Sequence, residues 1–153
     1  MAAETPTVHA SAVLAGARAV LIRGPAGAGK SKLALALIDA AQAGLLAFAR
    51  LVGDDRVHLE PHHGRLVVRP APPLAGLIEV RGLGIRRLDH EPVAVVVLVV
   101  DLAADDAGRL PAGTAAVICG ISLPRLAVAA GAEASYPLLA RLRFAPGDIK
   151  PPS

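Results

Sequence analysis

The glycine-rich segment at residues 24–31, with the sequence GPAGAGKS, constrains this chain more than any other feature. It matches G-x-x-x-x-G-K-[ST] at every fixed position, a pattern in which backbone N–H groups converge on phosphate oxygens. We expect Lys30 to reach the terminal phosphates of a nucleoside triphosphate, and the Ser31 hydroxyl to hold a magnesium ion. The predicted nucleotide-binding residues are Gly24, Pro25, Ala26, Gly27, Ala28, Gly29, Lys30 and Ser31.

The flanks of this segment have the composition that phosphate binding requires. Residues 19–22 form a short apolar run that predicts a buried strand before the loop. Residues 32–41 are rich in strong helix formers, and Gly44 is a suitable helix stop. A helix that begins at the loop points its positive N-terminus at the bound phosphates. The order of strand, loop and helix therefore favours a phosphate site over a chance run of glycine and alanine.

Composition limits the classes of protein to which this chain can belong. Its 153 residues, 54% of them hydrophobic, suit one domain, which we expect to span 1–145, with 146–153 as a disordered tail. Cys119 is the only cysteine, so an intrachain disulfide is excluded and a reducing compartment is expected. The N-terminus has no signal-peptide pattern, and no apolar run is long enough to span a bilayer. We therefore expect a cytoplasmic protein that has no membrane partner.

The charge pattern argues against a nucleic-acid partner. The formal net charge is +3, but the arginines are scattered, and the chain has one Tyr, two Phe and no Trp. Surfaces that bind nucleic acid usually combine a basic stripe with stacking aromatic side chains. We interpret the basic balance as solvated surface together with some phosphate-binding arginines.

The rest of the chain has the pattern of a mixed α/β protein. Residues 56–60 and 65–69 alternate between polar and apolar side chains, which predicts a hairpin with its turn at 61–64. Residues 93–100 are apolar without interruption, which predicts a strand covered on both faces, as in a three-layer α/β domain. Residues 132–144 predict a helix, in which Pro137 must either lie in the first turn or break the helix.

Two further runs carry residues suited to phosphate chemistry, and each also has a plain structural interpretation. Asp54 and Asp55 follow an apolar pair, so one can serve as a general base while the other orients metal or water. Adjacent aspartates are also common in solvated turns. The run EVRGLGI at 79–85 offers Glu79 as a second magnesium ligand, although an ion pair at a strand end gives the same pattern.

Together these residues resemble the HPr kinase/phosphorylase family. Over roughly positions 8 to 126, the chain has the family's order of motifs: His9, the loop at 24–31, DDR at 54–56, EVRGLGI at 79–85, an apolar strand at 93–100 and Arg109-Leu110. The EVRGLGI run is the most specific of these. The resemblance implies an α/β P-loop domain similar to phosphoenolpyruvate carboxykinases and the HPr kinase catalytic core, with a mixed sheet and flanking helices. It also implies the short form of the family and assembly of the chain with itself as a hexamer.

The resemblance implies an activity as well. Family members use ATP and Mg²⁺ to phosphorylate a serine of the phosphocarrier protein HPr, and they phosphorolyse the product with inorganic phosphate to give pyrophosphate. Carried over, Lys30 neutralises the phosphates, Ser31 and Glu79 hold magnesium, and the pair Asp54/Asp55 supplies the base, with Asp55 preferred. His9 and Arg109 are implied to bind or stabilise the transferring phosphoryl group. The signature loop comprises Arg81, Gly82, Leu83 and Gly84.

This chain departs from the family's pattern after residues 124–126. The family has a basic loop there that is tied to dephosphorylation, whereas residues 127–133 read AVAAGAE. We therefore expect the kinase activity to exceed the phosphorolysis. Two other classes of function stay open. One is a generic P-loop NTPase or small-molecule kinase that uses Asp101, after the apolar strand, as its Walker B acid. The other is a nucleotide-sensing module that binds a partner without phosphotransfer.

Overall fold

The computed structural model describes residues 6–107 and 115–144, and the expected tail at 146–153 lies outside them. Two helices and ten strands are present in the described residues. The helices are α1 (Lys30–Gln42) and α2 (Ser135–Arg143), and a short 3-10 turn spans Pro72–Leu74. The strands are β1 (Thr7–Ala15), β2 (Arg18–Arg23), β3 (Ala49–Gly53), β4 (Arg56–His62), β5 (Arg65–Pro70), β6 (Leu77–Val80), β7 (Gly84–Arg87), β8 (Ala94–Leu102), β9 (Ala115–Ile118) and β10 (Ile121–Val128).

Eight of these strands form one mixed sheet that closes on itself. The order runs β2, β1, β4, β5, β8, β10 and β9, with β3 paired to β1, and β2 also pairs with β8. Strands β1, β2, β8, β5 and β4 therefore make a closed ring. The contacts of β8 with β2 and β10 are parallel, whereas the other pairings of the large sheet are antiparallel. Strands β6 and β7 form a separate two-stranded hairpin.

The hydrophobic core has two parts, one on each face of β8. Small and branched side chains fill the inside of the ring, among them Leu21, Val57, Leu66 and Val96. A second cluster lies between the outside of the ring and the helices, and it includes Ile22. The residue pairing along β8 explains how one strand serves both clusters. Ala19 lies opposite Val96, but the next residue of β2 lies opposite Leu98, so β8 carries a bulge that reverses which face its alternate residues occupy.

The helices cover the outer face of the ring beside the glycine-rich loop. Helix α1 buries Leu33, Ala34, Leu37 and Ala40, a spacing that forms one apolar stripe, and it packs on β1 and β3. Helix α2 buries Leu138 and contacts α1. No helix within 6–107 and 115–144 has the length and apolar character needed to cross a membrane.

The predicted mixed sheet with flanking helices is confirmed, with one difference in its layers. Both faces of β8 are covered as expected, but helices cover only the outer face. The inner face is covered by the other strands of the ring, so the expected three-layer arrangement is wrong. An uninterrupted apolar run shows that both faces of a strand are buried, but it does not tell which elements cover them.

The individual elements match their sequence patterns closely. The predicted hairpin is β4 and β5, and the strand before the loop is β2. Helix α1 ends at Gln42, and Gly44 follows with a φ of 83°, the left-handed conformation expected after a helix. The last helix, α2, is shorter than the predicted 132–144, and Pro137 lies in its first turn, the first of the two expected alternatives.

Candidate functional site

The glycine-rich loop (residues 24–29) connects the end of β2 to the start of α1. Gly27 and Gly29 have φ angles of 82° and 101°, a left-handed region that side chains rarely adopt. A hydrogen bond of 3.1 Å from the Ala28 N–H to the Pro25 carbonyl closes the turn. Gly29 then caps α1, and its carbonyl accepts the N–H of Leu33 at 2.9 Å. The loop thus places the N-terminus of a helix of 13 residues behind it, as a phosphate site requires.

The loop also packs tightly against the end of β8. A Cβ atom at Gly24 would lie 3.1 Å from the Cβ and 3.2 Å from the carbonyl oxygen of Leu102. Glycine at this position lets the two chain segments approach, so the first residue of the loop is held against the strand that neighbours β2.

The side chains of Lys30 and Ser31 have different hydrogen-bond partners. The Lys30 Nζ donates to the carbonyl oxygens of Gly24 and Pro25, at 2.7 and 3.1 Å, and so spans the mouth of the loop. The Ser31 hydroxyl donates to the carboxylate of Asp54, at 2.8 Å to Oδ1 and 2.9 Å to Oδ2. A cation and a hydroxyl–carboxylate pair therefore lie at the start of the same helix.

Asp54 is a buried acid at the end of β3, with only 3% of its surface exposed. Its Oδ1 also accepts the Ser11 hydroxyl at 2.6 Å, and its Oδ2 lies 3.4 Å from the backbone N–H of Glu79. Gly53 makes this placement feasible, because a Cβ there would lie 2.7 Å from a methyl group of Val57. Buried carboxylates need such partners to offset their lost hydration.

Asp55, by contrast, is exposed and belongs to a second group of polar side chains. Its side chain is 64% exposed, and its Oδ1 lies 3.5 Å from Nδ1 of His9, which is 54% exposed. Nε2 of His9 lies 3.0 Å from Nη2 of Arg56. Because Arg56 can only donate, Nε2 accepts and the proton of the neutral ring is on Nδ1, toward Asp55. The backbone of Asp55 has a φ of 66°, which turns this residue away from the buried Asp54.

The signature loop is the turn of the β6–β7 hairpin. Glu79 lies in β6 with an exposed side chain, while its backbone faces Asp54. Arg81 follows and lines a cavity of about 570 Å³. The walls of this cavity are the glycine-rich loop, the first turns of α1, the end of β8 and residues 128–135. Gly82, Leu83 and Gly84 are exposed at the tip of the hairpin.

The segment at 128–135 contributes an acid rather than a base to this cavity. The carboxylate of Glu133 accepts hydrogen bonds from the hydroxyl and the N–H of Ser135, the latter at 2.7 Å, and from the N–H of Tyr136 at 2.9 Å. These bonds, the Ser135 hydroxyl first, lower the pKa of Glu133, so this side chain is an anion at neutral pH.

The carboxylate of Asp101 is hydrogen-bonded to two arginines. Arg23 donates from Nε and Nη2 to its two oxygens at 2.7 and 2.8 Å, and Arg125 donates from Nε to Oδ2 at 2.5 Å. Burial raises the pKa of Asp101, but the hydrogen bonds from Arg23 and Arg125 outweigh it, and the net shift is downward. Arg125 also binds both oxygens of Asp106, at 2.7 and 2.9 Å. Asp101 therefore links β2, β8 and β10. The acid that is hydrogen-bonded to Ser31 is Asp54 instead.

The structure brings most of the predicted site residues to one region in two groups. Lys30, Ser31, Asp54 and the backbone of Glu79 form the inner group, and His9 and Asp55 form the outer one with Arg56. Arg109 lies outside the described residues. Ser11, which is completely buried, was not predicted from the sequence as a site residue. Its signal was a lone hydroxyl between Ala10 and Ala12, two residues after His9, in a strand that is otherwise apolar at that point.

The inner group suits a hard divalent cation. Mg²⁺ prefers oxygen ligands and is usually held by one or two carboxylates together with substrate phosphates. The carboxylate of Asp54 and the hydroxyl of Ser31 offer two such oxygen ligands, and they are in direct contact. The backbone N–H of Glu79 is hydrogen-bonded to the same carboxylate. Within 6–107 and 115–144, no group of three or more His, Cys, Asp or Glu side chains is arranged to hold a metal without such a substrate.

This chain is similar in sequence to proteins of known family. The HPr kinase/phosphorylase of Lacticaseibacillus casei (strain BL23) is 39% identical over 84 residues, which cover 54% of this chain and 24% of that protein. The HPr kinase/phosphorylase of Clostridium beijerinckii is 42% identical over 66 residues, 43% of this chain and 20% of that protein. The match thus spans about a quarter or less of these curated relatives.

A solved structure and a family profile extend the likeness. The structure of the Hpr(Ser) kinase/phosphatase from Coxiella burnetii superposes with a TM-score of 0.71 at 27% identity, covering 90% of this chain and 92% of that one. The profile of the HPr Serine kinase C-terminal domain matches residues 1–90, which include the loop, both aspartates and the signature hairpin. The chain therefore belongs to the HPr Serine kinase C-terminal domain family.

Proposed function

We propose that this chain is an ATP-dependent kinase that phosphorylates a serine of the phosphocarrier protein HPr. The observation that carries the proposal is the contact of Ser31 with the buried Asp54, beside a lysine that spans a glycine-rich loop. Phosphoryl transfer needs mainly positioning and neutralisation of charge, and these groups supply both. Family membership and the names of the relatives support HPr as the substrate.

Asp55 is our candidate for the general base. In the forward reaction the serine hydroxyl of HPr attacks the γ-phosphorus, the bond to the leaving ADP oxygen breaks, and the hydroxyl proton passes to the base. A carboxylate open to solvent can meet a hydroxyl on an incoming protein, which Asp54 at 3% exposure cannot do. His9, held between Asp55 and Arg56, orients this carboxylate and adds hydrogen-bonding capacity near the transferring group.

Asp54 is then a positioning residue and, with Ser31, part of the magnesium site. The sequence alone suggested Ser31 and Glu79 for this role. We keep Glu79 as a further ligand, since its backbone already reaches Asp54. When bound, Mg²⁺ neutralises the charge of the β- and γ-phosphates. Lys30 adds a second positive charge on the same phosphates after it leaves the loop carbonyls that it now contacts.

We propose that the forward direction dominates. In phosphorolysis an oxygen of inorganic phosphate attacks the phosphorus of the phosphoserine, the bond to the serine oxygen breaks, and pyrophosphate forms. The inorganic phosphate and the phosphoserine are both anions, and they must be held together beside the loop. Residues 128–133 of the segment 127–133 line this cavity, the segment has no basic residue, and its one charged side chain is the anionic Glu133. Arg125, the nearest basic residue in sequence, already binds Asp101 and Asp106.

The hypothesis of a generic P-loop NTPase has less support than the hypothesis of a kinase. A Walker B acid must be free to act on the metal, whereas the carboxylate of Asp101 is held by Arg23 and Arg125. From the resemblance we further propose that the chain assembles as a hexamer and lies in the cytoplasm. Light scattering on the purified chain tests the hexamer.

The deciding experiment is a phosphotransfer assay with labelled ATP, Mg²⁺ and purified HPr. The expected result is label on HPr that survives acid, as a phosphoserine ester does. Replacing the acceptor serine of HPr by alanine should remove it. ATP binding without any transfer to HPr would favour a nucleotide-sensing module instead, and ATP hydrolysis independent of HPr would favour a generic NTPase.

A further inference from the structure

We propose that this chain has a second anion site, distant from the glycine-rich loop, in a cavity where the sheet divides. The cavity has a volume of about 540 Å³ and is lined by the beginnings of β2, β5 and β10 over residues 95–97 of β8. We call it the fork cavity. Its ligand would be a small organic oxyanion that carries a phosphate or carboxylate group.

The pairing of β8 explains why a cavity forms there. Val96 pairs with Ala19 of β2 and with Leu66 of β5, so these two strands lie on opposite edges of β8. Strand β10 pairs with residues 99–102 while β2 occupies the other edge, so β5 and β10 share one edge. The two strands separate around Val97, where β8 also bulges, and the gap between them is the fork cavity.

Within the described part of the chain, two arginines and no acid line the fork cavity. Arg18 precedes Ala19, and Arg65 precedes Leu66, so both cations lie one residue before partners of Val96, on either side of β8. Among the residues that the structure describes, no Asp or Glu lines the cavity. Among the described residues neither Arg18 nor Arg65 has an ion-pair partner, unlike Arg23, Arg50, Arg69 and Arg125. Two uncompensated guanidinium groups at one cavity favour a negatively charged ligand.

The chemistry of the lining narrows the ligand class. Guanidinium groups bind phosphate and carboxylate through paired N–H donors, and the Ser122 hydroxyl offers another donor. Val97 and Ile121 are half-buried apolar side chains in the wall, which suit the carbon part of a ligand. The volume lies within the range of pockets that hold small molecules.

This site is separate from the nucleotide site. Strand β2 enters at Arg18, beside the fork cavity, and leaves at Arg23, just before the glycine-rich loop. Five residue steps along a strand correspond to about 17 Å. The two cavities have no lining residue in common within 6–107 and 115–144, so the described lining of each can be altered without touching that of the other.

The test is a titration of the ¹⁵N-labelled chain with inorganic phosphate in one arm and malonate in the other, followed by amide shifts. The expected result is saturable shifts at residues 95–97 and 121–123, retained in Lys30→Ala. In the double variant Arg18→Gln, Arg65→Gln the affinity should fall about tenfold or more, as expected when charged hydrogen bonds are lost. Response to phosphate alone, or also to malonate, tells which oxyanion the site prefers.

The control is Arg87→Gln, which removes an exposed arginine on β7 and should leave the affinity unchanged. The single variants Arg18→Gln and Arg65→Gln replace the double variant if its spectrum shows loss of folding. Shifts confined to residues 24–31, shifts abolished by Lys30→Ala, or shifts equal in all arginine variants would overturn the proposal. Since the readout does not involve HPr or ATP, failure here is distinct from failure of the kinase proposal.

Discussion

The hydroxyl of Ser31 contacts both oxygens of the Asp54 carboxylate, at 2.8 and 2.9 Å, although the two residues are 23 positions apart. This contact joins the first turn of α1 to the end of β3. It also divides the Asp54-Asp55 pair, since one acid is fixed inside the protein and the other is left in solvent. We therefore expect the carboxylates of Asp54 and Asp55 to have different roles.

Replacing Lys30 by alanine should abolish most ATP binding. The variant removes the cation that faces the phosphates and should leave the fold intact, because among the described residues the Lys30 Nζ donates hydrogen bonds to carbonyls of its own loop alone. Calorimetric titration with ATP and Mg²⁺ measures the effect. Arg69→Ala, which removes an arginine paired with Glu60 on the β4–β5 hairpin, serves as the control. ATP affinity equal in the two variants would contradict the assignment of the loop.

Asn substitutions should separate the two aspartates. Asp55→Asn should lower turnover by roughly 10²–10⁴ with ATP affinity retained, because a general base is lost from an exposed position. Asp54→Asn should raise the Mg²⁺ concentration needed for half-maximal activity and lower stability, since it disturbs the bonds to Ser11 and Ser31. Steady-state kinetics at several Mg²⁺ concentrations, with thermal melts, distinguish the two. A mild effect of both variants on turnover would return the pair to an ordinary turn.

The metal ligands can be tested against Asp101. Glu79→Gln should weaken Mg²⁺-dependent activity strongly, whereas Asp101→Asn should leave the Mg²⁺ dependence unchanged, because its carboxylate is bonded to arginines. The measurement is activity as a function of Mg²⁺ for each variant. The reverse ranking would favour the Walker B interpretation of β8.

Phosphorolysis should be slower than the kinase reaction. Incubation with serine-phosphorylated HPr and millimolar phosphate, followed by pyrophosphate release, measures it against the forward rate with ATP. Glu133→Gln should raise the phosphorolysis rate, since it removes an anion from the wall of the cavity where phosphate must bind. A wild-type phosphorolysis rate equal to the kinase rate would show that the missing basic residues do not matter.

Asp101 should make stability depend on acid pH. The folded state lowers the pKa of this carboxyl from 3.8, so the unfolded chain binds its proton more readily. Its contribution is therefore complete above the unfolded pKa and is lost as the pH falls through the folded value. At about pH 7, Asp101→Asn should cost about 1–3 kcal/mol, as for a hydrogen-bonded charge.

The difference in the free energy of unfolding between the wild-type chain and Asp101→Asn should be smaller at about pH 3 than at about pH 7, because below 3.8 the unfolded wild-type chain binds the proton of Asp101 more readily than the folded one. Urea unfolding followed by circular dichroism at both pH values gives the comparison. Asp89→Asn, at an exposed residue, should change stability by less than about 0.5 kcal/mol. A cost for Asp101→Asn that is equal at both pH values would contradict the linkage.

Much of the local structure follows from short patterns. Gly24, Gly27 and Gly29 are needed where the loop turns or approaches Leu102, and helix-forming residues follow at once, so the sequence predicts the strand, loop and helix. The hairpin of β4 and β5 follows from its alternation. These features depend on backbone preferences over a few residues, which are visible in the chain itself.

The contacts that define the site depend on the closed ring of strands. Ser11, Asp54 and Ser31 meet because β1 pairs with both β2 and β3, and no local pattern carries that pairing. The sequence likewise did not predict the bulge in β8, because an unbroken apolar run has no period that reveals a change of face.

The sequence by itself determined the glycine-rich loop, the residue types of the site and the family resemblance, since these depend on the identity and spacing of neighbouring residues. Only the tertiary structure decided that Asp54 is buried against Ser31 while Asp55 faces His9, and that Asp101 is bonded to Arg23 and Arg125. The physical reason is that burial and charge pairing are set by residues distant in the chain, which the packing of strands and helices brings within hydrogen-bond distance.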